Sequence, residues 1–169
     1  TPLSSGPYTA QITGKAAATG IALMEAYDTS AAADTARLVN ISARSQVGTG
    51  GDILIAGFVI SGNVNKRVLI RGVGPALSQF GVGGVLADPQ LALYRQGASS
   101  PMDQNDNWLT ATNAPQVGLV AGQVGAFSLA PNSRDAALLV TLEPGAYTAQ
   151  VSGVGNSTGV ALIEIYEAP

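Results

Sequence analysis

Asp103, Gln104, Asn105, Asp106, Asn107 and Trp108 run consecutively and form the stretch of this chain richest in groups that could do chemistry. Closely spaced carboxylate and amide oxygens are the hard ligands that calcium prefers. Asp88, at the head of the segment DPQLALY, can join them, so the candidate metal set is Asp88, Asp103, Asn105 and Asp106, with calcium as the ion. The stretch lacks the glycine and the distant glutamate of an EF-hand loop. Its competing reading is an Asx-rich turn that ends a strand. Trp108, the sole tryptophan, offers with Tyr94 an aromatic surface for a sugar ring, although a lone tryptophan more often anchors a core or a rim.

Most other chemistry is excluded or unsupported by composition. The chain has no cysteine and no histidine, which removes disulfides, thiolate nucleophiles, thiolate or imidazole zinc sites and every histidine acid/base scheme. Its carboxylates form no pair whose proximity the sequence argues, and no nucleophile motif surrounds any Ser, Lys or Tyr. The glycine-rich segment at 72–84 (GVGPALSQFGVGG) matches neither phosphate-loop fingerprint and reads as a connection between sheets with a short helical turn. The chain is therefore expected to be non-catalytic. A net charge of -3 and only two lysines, Lys15 and Lys66, leave no basic stripe for nucleic acid. No apolar run approaches the roughly 20 residues that span a bilayer, so membrane insertion is not expected. Only 11% of residues are charged, and the surface must be built from Gly, Ala, Ser, Thr, Asn and Gln, a composition that suits a secreted or surface protein of bacteria.

The elements that must position these groups are marked out by an internal repeat. Residues 3–28 read LSSGPYTAQITGKAAATGIALMEAYD and residues 142–167 read LEPGAYTAQVSGVGNSTGVALIEIYE; the two align without a gap and half of the positions are identical. Each copy reads as a β-hairpin, with strands at 8–13 and 21–27 in the first and at 147–152 and 160–166 in the second. Tyr147, Ala149 and Val151 alternate with Thr148, Gln150 and Ser152, the period of a half-buried strand. Glu25 and Glu164 read as carboxylates on a sheet rim.

Between the copies, further strands are expected at 37–43, 52–60, 67–71, 91–94, 126–129 and 136–142. The segment DILIAGFVI at 52–60 is apolar on both faces and is expected at the centre of a sheet. In RVLIR at 67–71, Val68 and Ile70 face inward and both arginines outward. No helical period exceeds that of 75–80. The expected fold is all-β, an antiparallel β-sandwich of jelly-roll type with a duplicated β-hairpin at the N-terminus. The expected organisation is a hairpin at 1–28, a small polar linker at 29–36 and a sandwich module at 37–169.

Long motifs in the module, including RLVNISARSQVGTGGDILIAGFVI, RVLIRGVGPALSQFGV, NDNW and SRDAALLVTLEPGAYTAQVSGVGNSTGVALIEIY, resemble an uncharacterised tandem repeat module of secreted and surface proteins of Verrucomicrobia-like bacteria. The resemblance implies that residues 3–28 correspond to the tail of a preceding module, and it carries no activity. Asp88, the aliphatic-Tyr run 91–94, the Asn/Asp turn 105–107 and the Gly-x-Tyr at 145–147 are also similar to bacterial pre-peptidase C-terminal domains. That likeness implies a jelly-roll-like fold and keeps calcium and polysaccharide as ligands to test.

The function expected from these features is an extracellular structural module that binds copies of itself, by strand addition or face packing, into an array or filament. Low charge permits close packing of identical surfaces. The assembling residues are Tyr8 and Ile12 on one strand of the first copy with Ile21, Leu23 and Tyr27 on the other, an apolar face too small to be stable alone. The alternative is a carbohydrate-binding surface module using Trp108, Tyr94 and the Asp/Asn turn, with calcium as the only cofactor in view.

Overall fold

The computed structural model describes residues 3–29 and 37–169. The expected linker therefore lies outside the described residues except for Thr29. The chain divides after Val39 into a short N-terminal unit and a unit spanning Asn40–Pro169. The larger unit holds strands β1 (Asn40–Val47), β2 (Leu54–Ile60), β3 (Lys66–Val73), β4 (Pro89–Arg95), β5 (Asp103–Asn105), β6 (Ala136–Leu142), β7 (Gly145–Gly153) and β8 (Gly159–Ala168), with one α-helix, α1 (Ala114–Gln123).

Two four-stranded sheets carry the orders β1-β8-β3-β6 and β2-β7-β4-β5. Antiparallel ladders join β1 with β8, β2 with β7, β3 with β6 and β4 with β5. That nesting is an antiparallel ribbon folded over into two facing sheets, which makes the unit a jelly-roll β-sandwich. The core between the sheets is supplied by alternate residues. Val68 and Ile70 of β3, Leu91 and Leu93 of β4, Tyr147, Ala149 and Val151 of β7, and Ala161, Ile163 and Ile165 of β8 all point into it. Each large aliphatic side chain buried there is worth about 1.5–3 kcal/mol.

A second apolar cluster lies outside the first sheet. Leu69 and Leu139 meet Trp108 and the Val117, Val120 and Ala121 stripe of α1. Those helix residues follow the i, i+3, i+4 spacing, and Pro115 sits in the first turn, where a missing N–H costs little. Two glycines and a ten-residue length obscured the helix in the sequence. None of the described residues forms a helix long and apolar enough to cross a membrane.

Several expectations need correction. Residues 126–129 form no strand; they run alongside the helix cluster, and Ala126 is buried in it. Strand β2 is an edge strand rather than a central one. Most important, the second copy of the repeat is not a hairpin. Strands β7 and β8 belong to opposite sheets and are joined by a 3₁₀ turn at Val154–Asn156, so the element is a β-arch whose two inward faces oppose each other across the core. A hairpin would put both apolar sets on one face of one sheet, and the core would lose half of its lining. In the first copy, the strands expected at 8–13 and 21–27 join no ladder among the described residues; only a 3₁₀ turn at Lys15–Ala17 is present. Two strands without a sheet to lie on cannot hold a ladder of their own.

The arch is closely fitted at the start of β8. A Cβ on Gly159 would lie 2.5 Å from the backbone nitrogen of Leu86, whereas a Cβ on Gly20, the matching residue of the first copy, would meet nothing within 4 Å. Gly159→Ala is expected to lower the free energy of unfolding by about 1–3 kcal/mol in urea titrations. Gly20→Ala should leave the urea midpoint of the sandwich unchanged, and an equal loss from both would show that residues around 20 are packed as tightly as those around 159.

Candidate functional site

The polar turn was the first candidate, and the fold spends most of its chemistry on structure. Asn105 pairs with Leu91 across β4 and β5 and is buried. Its Nδ2 donates to Asn107 O at 3.0 Å and its Oδ1 accepts from the backbone N–H of Ala137 at 3.0 Å, which ties the turn to β6. Asp103 Oδ1 accepts from the next residue's N–H at 2.9 Å. Asp88 is drawn elsewhere, its Oδ2 lying 2.8 Å from Arg134 Nη1. A shallow cleft lined by Gln90, Asp103, Asn105, Asp106 and Thr110 brings three of the four candidate ligands together and leaves Asp88 out. Among the described residues no group of three or more acidic, His or Cys side chains could hold a metal ion.

Trp108 is an anchor. Its Nε1 donates to Ala130 O at 3.0 Å, and the ring is buried in the helix cluster. The indole therefore has no face for a sugar, and Tyr94, half-buried on β4, does not line the cleft. No local pattern marks Asp135, which is fully buried. Its carboxylate accepts the N–H groups of Gly74 at 2.8 Å and Ala76 at 3.2 Å and a bond from Ser133 Oγ, so it fixes the 3₁₀ turn Pro75–Phe80 that carries the chain from one sheet to the other.

The strongest electrostatic feature is a buried ion pair. Arg71 is fully buried; its Nη2 lies 2.8 Å from Glu164 Oε2, in close charge contact rather than an aligned hydrogen bond. Nη1 donates to Phe127 O at 2.6 Å, and the guanidinium sits 4.2 Å from the centre of the Phe127 ring. Tyr166 donates its hydroxyl to Glu164 Oε1 at 2.7 Å. Burial first, and then that bond and the nearby carboxylate charge, hold the Tyr166 hydroxyl protonated well above the ordinary tyrosine range. Glu164 is thus buried on the outer side of β8 rather than set on a rim in water, because its partner, an arginine on β3, is not visible in the local pattern of β8.

Residues 3–28 keep the form of the β7–β8 arch without its surroundings. Gly6 has φ 151° where Gly145 has 155°; Ala16 and Ala17 have 53° and 59° where Gly155 and Asn156 have 63° and 60°. Tyr8 donates to Ser4 O at 2.7 Å as Tyr147 does to Glu143 O at 2.9 Å. Tyr27 donates to Glu25 Oε1 at 2.8 Å, repeating the Tyr166–Glu164 bond, and the bond and charge of Glu25 again raise the hydroxyl's pKa. The apolar side chains are uncovered: Ile12 is 53% and Met24 49% exposed, whereas their counterparts in the resident arch, Val151 and Ile163, are 0% and 1% exposed.

The resident arch also revises which of these residues form one face. In β8 the inward set is Ala161, Ile163 and Ile165, whose counterparts are Ala22, Met24 and Ala26. Tyr8 and Ile12 keep inward counterparts in Tyr147 and Val151, but Ile21, Leu23 and Tyr27 match the outer face of β8. The two inward sets differ most at Ala26, which stands where the resident arch has Ile165. An Ile-to-Ala change in a packed core costs about 2–5 kcal/mol, so the 142–167 copy holds its place against the 3–28 copy.

No protein-family model matches the chain, including any for the tandem module that its motifs resemble, and no curated protein matches it either. Among solved structures, it is similar to the pre-peptidase C-terminal domain of a collagenase from Bacillus anthracis, with a TM-score of 0.45 and 13% identity over 75% of this chain and 89% of that one.

Two measurements test the site. Arg71→Met leaves Glu164 charged and unpaired in the core and is expected to cost about 3–5 kcal/mol, while Arg71→Met with Glu164→Leu should recover most of the loss on thermal melting. If the double variant is no more stable than the single one, the ion pair is not what Arg71 supplies. For the polar turn, the cleft offers calcium two carboxylates, Asp103 and Asp106, so most of the six to eight oxygens the ion takes would come from water and backbone. The melting temperature should be the same in millimolar calcium and in chelator, and a rise with calcium would assign an ion to the turn by mass action.

Proposed function

We propose that this chain is a non-catalytic structural module of a secreted or cell-surface bacterial protein, and that it self-associates through strand addition into an array or filament. The observation that carries the reading is the N-terminal arch. Residues 3–28 have the turn geometry and internal hydrogen bonds of a strand pair that normally spans two sheets, yet their backbone joins no ladder and their apolar side chains are exposed. An arch of this kind on one molecule and a sandwich on another are non-identical surfaces, and a head-to-tail contact between such surfaces propagates unless it closes into a ring. The sparse charge supports the same reading, because copies packed closely repel one another weakly. The glycan reading loses its main support with the burial of Trp108, and the polar cleft beside β5 is all that remains of it.

Light scattering over a wide concentration range tests the proposal, comparing the full chain with a version that begins at Asp34. The full chain should gain mass with concentration while the shortened one stays monomeric. If both remain monomeric, or both polymerise alike, residues 3–28 are not the assembling element.

A further inference from the structure

Strand β2 has the composition of a central strand and the position of an edge strand. On its outer face Ile55 is 51% and Val59 71% exposed, and on the neighbouring edge strand β1 Ile41 is 39% exposed. On the inner side Ala43, Ala56, Phe58 and Ile60 reach the core but remain only partly buried. β1 and β2 lie against each other at one flank of the sandwich, one in each sheet. This flank therefore presents two open backbone edges with a half-covered core between them. The other flank is protected by ordinary means: β5 has three residues, and β6 is covered by α1 and the Trp108 cluster.

Resting on the self-association reading above, we propose that the β1–β2 flank is the seat for residues 3–28 of a second copy of this chain, one arch strand adding to each sheet. Direction favours it. β8 is antiparallel to β1 and β7 is antiparallel to β2, so an arch laid outside them in the orientation of the resident one is antiparallel to both free edges at once. A hairpin could satisfy only one sheet.

The register of the resident arch also brings complementary groups together. Tyr8 falls opposite Phe58, which already stacks on Tyr147 at 5.6 Å from the inner side. Met24 falls opposite Ala43 and Ala26 opposite Ile41, large against small. On the outer face Glu25 falls opposite Ser42, one diagonal step from the exposed Arg44, close enough for an opposite-charge pair across strands. The place between β1 and β3 is closed to this arch because the better-filling 142–167 copy occupies it. The flank is the next position with the same two-sheet geometry.

The absence of cysteine makes introduced thiols unambiguous reporters. In the resident arch Gln150 faces Ile55, so Gln11 of a seated arch faces Ile55 of its neighbour, at a spacing compatible with a disulfide. A full-length Gln11→Cys chain mixed with a full-length Ile55→Cys chain under mild oxidation should give the mixed dimer in large excess over the same reaction with Thr141→Cys on β6. If light scattering shows assembly but Gln11→Cys links to Thr141→Cys as readily as to Ile55→Cys, or to neither, the seat is wrong while self-association stands. No assembly at all removes both. A chain carrying Gln11→Cys and Ile55→Cys together that closes on itself as a dilute monomer, rather than linking to a second chain, overturns the second-copy partner.

Discussion

Both sheets depend on one element, the arch β7–β8. Strand β7 pairs with β2 on one side and β4 on the other, and β8 with β1 and β3, so without the arch each sheet falls into two pieces. Tyr147, Ala149 and Val151 and Ala161, Ile163 and Ile165 supply both walls of the core from one continuous segment. The partners of that segment lie from 52 residues away, as in the pairing of Arg95 with Tyr147, to 126, as in that of Asn40 with Tyr166. Contacts of such long range must close large loops before they return any stability, which marks the fold as a slow one.

The same element carries the most expensive group in the molecule. Glu164 faces away from the inter-sheet core, and it is tolerated there because Arg71 lies in charge contact with it and Tyr166 donates to it, while the Phe127 carbonyl and ring hold the guanidinium. Burying a charge pair is poor insurance for stability but costly to break, so the pair specifies how β8 sits against β3. Glu25 and Tyr27 carry the acidic half of that set at the other end of the chain, in water, where only their mutual hydrogen bond remains.

The alternation in β7 and the apolar run of β3 made the antiparallel sandwich legible, because period-2 patterning reports which face of a strand is buried. It does not report which sheet the strand joins, and for that reason the arch read as a hairpin. The turn could have warned of it: a crossing of five residues between flanking glycines, Val154 to Thr158, is long for a tight two-residue hairpin. DILIAGFVI read as central because both its faces are apolar, and the composition is true although the position is an edge. Asp135, Arg71 and Glu164 were illegible as a class, since each is defined by partners 56 to 93 residues distant. Trp108 was legible as an anchor from its solitude and its need for one acceptor, which Ala130 supplies.

The resemblance in form between residues 3–28 and the resident arch has a further consequence when the chain is considered as it is made. Translation delivers the first arch before β1 exists and the second only after β6. While the ribosome holds residues beyond 142, the strands that flank the missing centre of each sheet have already been made, and neither sheet is continuous until β7 and β8 follow. Vectorial synthesis thus gives the two copies different histories: residues 3–28 are made before any strand of the sandwich, and the copy that carries Ile163 and Ile165 in place of Met24 and Ala26 is made after six of its eight strands.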